Sequence, residues 1–89
     1  MTKWMKLLLR IMDGEQNISS PFHEDGILQS IVVMHDENDR IGYLLFWCSV
    51  THKGVMSGRL GVPEKVKYVL SKDLETLNMP DIQLQSVKF

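Results

Sequence analysis

Residues 27–51 read ILQSIVVMH, then DENDR, then IGYLLFWCSVT, and this stretch decides the fold. Ile27 to His35 is rich in β-branched side chains, and Ile41 to Thr51 in aromatic and aliphatic ones. Both compositions suit a pleated, packed surface. Between them Asp36, Glu37, Asn38 and Asp39 form a polar cluster, and Asp and Asn favour turns because their side chains bond to nearby backbone. The pattern predicts a β-hairpin. In its second strand both parities are apolar: Tyr43, Leu45 and Trp47 on one face, Leu44, Phe46 and Cys48 on the other. A strand of that kind is central in its sheet or covered on both sides.

Beyond the hairpin, Thr51 to Gly54 reads as a turn, and Val55 to Leu60 as a short third strand weakened by Gly58. From about 63 to 77 the spacing predicts an amphipathic helix. Pro63 suits a first helical position, and Val66, Val69, Leu70, Leu74 and Leu77 recur with the helical period. Asn78 and Pro80 would stop it. Asp73 falls inside that apolar stripe, so either the helix breaks near Ser71 or the side chain reaches past its edge, the readings favoured, or a partly buried carboxylate has found a partner. Asp81 to Phe89 reads as a last strand whose apolar parity switches at Ser86.

Upstream, residues 3–12 fit two readings. Lys3, Lys6, Arg10 and Asp13 recur at helical spacing, with Thr2 as a cap and Gly14 as a stop. Met5, Leu7, Leu9 and Ile11 alternate as a strand would. Leu, Met, Lys and Arg tip the balance to helix. Residues 13–26 form a polar loop, long for so small a domain and of a length often tied to function. The expected fold is therefore α+β: one domain, 1–89, with a three- or four-stranded, mostly antiparallel sheet and the helix at 63–77.

The chain of 89 residues is 44% hydrophobic and 24% charged, a globular balance. Its one cysteine, Cys48, excludes an internal disulfide, the N-terminus makes a poor signal peptide, and no apolar run could span a bilayer. A cytoplasmic location, with no membrane contact, is the expectation. Net charge is −1, but the charges are segregated. Seven acids and no Lys or Arg lie between Arg10 and Arg40 (Asp13, Glu15, Glu24, Asp25, Asp36, Glu37, Asp39). From Arg40 to Lys72 there are six basic residues and one acid, Glu64.

Several constellations could carry chemistry. His23 and His52, with Glu24, Asp25 and Lys53, fall at one end of the hairpin, as a metal or acid–base site would need. No two are spaced as a ligand motif, so loop charges in solvent are the plainer reading. Cys48 and His52 share a strand face but lie more than about 10 Å apart, too far for a thiolate–imidazole pair, which leaves Cys48 a buried structural thiol. The glycines of Gly54 to Gly61 before a helix start could cradle an anion with Arg59 and Lys65. Glu64 would repel that anion, and the P-loop ending is missing. Arg59, Lys65, Lys67 and Lys72 around Tyr68 could contact nucleic acid, although Lys65 and Lys67 would point about 200° apart on a helix.

The expected function is a small interaction protein, such as an inhibitor, immunity-type or regulatory protein, and not an enzyme. It would bind a partner protein through the acidic loop 13–25 (Glu24, Asp25) and the turn 36–39, which suit a basic partner surface, and through the aromatics Phe22, Tyr43 and Trp47, with no cofactor, metal or catalytic residue. A nucleic-acid-binding regulator using Arg59, Lys65 and Lys72 is the alternative, and a small enzyme or metal site at His23 and His52 the third. A core of this size supplies only about 3–5 kcal/mol, so a homodimer would also help it.

Overall fold

The computed structural model describes all 89 residues. It is an α+β fold built on the hairpin, in which β1 (Leu28–Asp36) pairs antiparallel with β2 (Ile41–Cys48). The turn closes as its composition predicts. The Asp36 carboxylate accepts the backbone N–H groups of Asn38 and Asp39 at 2.9 and 3.2 Å, and Arg40 takes a left-handed φ of 53°. The register slips at His35, because Met34 opposes Gly42 while Asp36 opposes Ile41. Gly42 is obligatory there, since a Cβ would collide with the Val33 carbonyl.

Residues 3–12 are helical, as the propensities favour: α1 spans Lys3–Met12. The Thr2 hydroxyl caps it by accepting from Met5 N–H at 3.2 Å. Gly14 ends it at φ +91°, donating to Ile11 C=O while Glu15 N–H donates to Arg10 C=O, which is the Schellman arrangement. Trp4, Leu7, Leu8 and Ile11 form its apolar stripe and pack on the sheet. They cover the face that carries Val32, Met34, Leu44, Phe46 and Val55, here called the helix face. Met34, Leu44, Phe46 and Val55 are fully buried; each such side chain contributes roughly 1.5–3 kcal/mol.

The third strand is split in two. β3 (Lys53–Met56) and β4 (Leu60–Gly61) both pair with β2, and the chain bows out between them at Gly58 and Arg59. Ser57 repairs the gap: its N–H donates to Leu44 C=O at 2.8 Å and its hydroxyl accepts Leu44 N–H at 2.8 Å.

The expected helix at 63–77 is absent, and the sheet is larger and less antiparallel than predicted. Residues 64–66 turn, and β5 (Val69–Leu70) then joins the sheet parallel to β1. Ser71–Thr76 is a 3-10 helix with no side-chain cap. Arg40 fixes the start of this segment, donating from Nε to Val62 C=O at 2.8 Å and from Nη2 to Pro63 C=O at 2.9 Å. A helix starting at Pro63 would aim those carbonyls along its own axis instead. The expected last strand shrinks to β6 (Gln83–Leu84), parallel to β3.

Strand order is β5-β1-β2-β3-β6, with β4 also on β2. Because β5 and β6 lie at opposite edges, the chain between them must cross a face of the sheet. It crosses the face opposite α1: a Cβ on Gly54 would lie 2.6 Å from Ile82 Cγ2 and 3.0 Å from Trp47 Cβ. We call this the outer face, and residues 71–82 its strap. Beyond β6 the chain returns to the helix face, where Val87 and Phe89 pack on the core and Phe89 C=O accepts the Thr2 hydroxyl at 2.9 Å.

Both edges of the sheet are interrupted. Beside β1, Ser19 pairs with Ile27 at one end and β5 covers Val33 and Met34 at the other. Beside β3 lies only the two-residue β6.

Candidate functional site

The strap runs obliquely, from the level of Val33 to that of Gly54. It buries Val33 fully and leaves Trp47 6% exposed. The quarter of the outer face nearest the 36–40 turn is left uncovered. There Tyr43 and Leu45 are half-buried, Met56 is 48% exposed, and Leu84 at the adjoining edge is 54% exposed. The His35 and Tyr43 rings lie 5.3 Å apart between centroids. With Asp36, Met56, Ser57 and Arg59 they line an open groove of about 680 Å³.

The charges around this groove are unneutralised. Arg10 with Glu15 is the only ion pair in the molecule, so Arg59, Asp36, Glu37 and Asp39 have no ionic partner. Glu37 accepts the Tyr68 hydroxyl at 3.1 Å, and the Arg40 guanidinium stacks on the Tyr68 ring at 5.6 Å. The acidic turn thus forms a fixed negative rim.

Of the residues singled out from sequence, Tyr43 and Arg59 come together in this groove. The others lie elsewhere. Phe22 stacks on Trp4 at 5.5 Å, and Trp4 in turn lies 6.4 Å from Phe46, so these rings belong to the core layer. Trp47 is buried beneath the strap, and its indole N–H donates to Gln29 at 2.9 Å. Glu24 and Asp25 are exposed in the loop before β1, about 25 Å along the strand from the acidic turn. Acidic loop and aromatic groove are therefore two places, not one surface. Lys65 faces the end of α1, in a groove shared with Ile11, Asp13 and Lys67, whereas Arg59 borders the outer face. Lys72 is exposed within the 3-10 helix and lines neither groove. The proposed anion cradle at 54–61 has no helix behind it.

His23 and His52 are used locally. His23 Nδ1 accepts Asp25 N–H at 3.0 Å, and His52 holds a left-handed φ of 59° with its carbonyl bonded to Gln83 N–H. No cluster of His, Cys, Asp and Glu has metal-binding geometry. Cys48 is fully buried, beneath the loop at Gly26. Burial pushes its thiol up, but the Ser20 hydroxyl, the Thr51 N–H and hydroxyl and the Val50 N–H outweigh this and lower it to about 7.

Sequence reasoning missed His35 and Met56. Their signal was parity: His35 has that of Val33, and Met56 lies two residues after Gly54 on an expected strand. No helix is long and apolar enough to cross a membrane. No family model, curated protein or solved structure matches this chain.

Proposed function

We propose that the protein is a binding module, not an enzyme, and that it docks a partner protein on the uncovered quarter of its outer face. The observation that carries this reading is the exposure of Tyr43, Leu45, Met56 and Leu84 side by side on a face where Val33 and Trp47 are buried. Aromatic and methionine side chains anchor interfaces because they bury much area and adapt in shape. The negative turn at Asp36, Glu37 and Asp39, with Arg59 in the same groove, selects the occupant: an apolar side chain with lysine or arginine facing the turn and an acid facing Arg59. Such rims act more on association rate and specificity than on affinity.

The test is quantitative capture from nuclease-treated lysate, followed by binding measurements on whatever is captured. Tyr43→Ala/Met56→Ala should weaken binding at least about 10-fold, the scale of a lost anchor. Glu37→Lys/Asp39→Lys should slow association and reduce its dependence on salt. Glu24→Lys/Asp25→Lys, at the far end, should do neither. If the far-end pair weakens binding and Tyr43→Ala/Met56→Ala does not, the acidic loop is the contact and the groove is not.

A further inference from the structure

The last third of the chain is held differently from the rest. From Pro63 to Phe89 no residue is buried; Val66, Tyr68, Leu70, Val87 and Phe89 lie partly buried against a core that the earlier elements supply. Two elements of two residues each, β5 and β6, are its only sheet pairings. Its 3-10 helix lacks a side-chain cap, and the Thr76 and Gln85 side chains bond only within the segment itself. No ion pair ties it down. From 71 onward a single side-chain hydrogen bond joins it to the body, from Thr2 to Phe89 C=O. Short pairings, poor burial and few cross-contacts mark segments that open locally at low free-energy cost. What the strap covers, by contrast, is apolar and buried: Val33 is fully buried, and Trp47, 6% exposed, belongs to the central strand.

We propose that Ser71–Phe89 is a displaceable cover. It lifts from the outer face while α1 and the β1–β2–β3 sheet stay folded. In the open state Ile31, Val33 and Trp47 join Tyr43, Leu45 and Met56 in one larger apolar surface. As an enlargement of a docking face, this rests on the binding reading above; the opening itself does not. The hinge is the stretch just before Ser71, where Arg40 grips Val62 and Pro63 and the Tyr68 ring. The body up to β5 therefore keeps its place while the cover moves.

Native-state hydrogen exchange on the unmodified chain tests this. The amides of Gln83 and Gln85, which donate to His52 and Gly54 carbonyls at 2.9 and 2.8 Å, should exchange at least about 10-fold faster than those of Leu44 and Phe46. Equal rates for the two sets would mean that the cover opens only with global unfolding, and the proposal would fall. A second measurement uses Lys53→Cys/Gln83→Cys, residues that pair in register, in a Trp4→Phe background. Oxidation should reduce acrylamide quenching of Trp47 at least about twofold relative to the dithiol. Unchanged quenching would show that Trp47 is not uncovered by this motion. The two readings separate cleanly. Failure of the opening leaves the uncovered quarter exposed as before, whereas loss of no binding in Tyr43→Ala/Met56→Ala ends the docking reading and leaves the opening standing.

Discussion

Ser57 is the residue on which most local order depends. Its hydroxyl stands in for a missing ladder partner by taking the N–H of the fully buried Leu44. Ser57→Ala would strand that donor, at about 1–3 kcal/mol, measurable by urea unfolding. A loss below about 0.5 kcal/mol would show that water replaces the hydroxyl. Cys48 makes a pH prediction. Its folded-state value of about 7 lies below the ordinary 9.0, so folding favours the thiolate. The contribution to stability is complete above the unfolded value and is lost as pH falls through about 7. Stability should therefore rise between neutral pH and pH 9 in the native chain, and the rise should flatten in Cys48→Ala. At this scale the sequence was partly legible. Cys48 was readable as buried from its apolar neighbours. The roles of Ser57 and Arg40 were not, because both act through backbone groups 13 and 22 residues away.

Among the elements, the hairpin was legible because local signals agree with tertiary ones, whereas residues 3–12 also fitted a strand and only propensity leaned to α1. The turn residues bond to their own backbone, and Thr2 and Gly14 cap the helix that residues 3–12 favour. Thr2→Ala should cost about 1 kcal/mol through the cap, and somewhat more because the Phe89 contact goes with it; thermal unfolding reads both. The segment 63–77 was misread because its period is an accident of two structures in series. Val69 and Leu70 are paired with β1, while Leu74 and Leu77 belong to and follow the 3-10 helix. Asp73, the residue that fitted no helical face, was the sign. Arg40→Ala should destabilise by about 1.5–3 kcal/mol through two lost charge-assisted bonds. It should also speed exchange at Val69 and Leu70 more than in β2. Uniform acceleration would mean that the grip is not local.

For the whole molecule, the sequence pointed to α+β, and the structure agrees at that level. The wrap of the chain around the sheet was invisible, since parallel pairings such as β1 with β5 and β3 with β6 depend on which distant edges remain open. The candidate site shares this limit. Tyr43 and Arg59 were readable as residues, but their meeting follows from where the strap leaves the outer face bare. The interrupted edges have a consequence for how the protein behaves in bulk. Fibres grow when a long, flat edge strand templates copies of itself. Here one edge is stopped by Ser19 and by β5, and the other presents two residues. Concentrated solutions of the chain should thus stay thioflavin-negative while β6 stays paired with β3, and fibril formation should begin only where β6 detaches or the fold is lost.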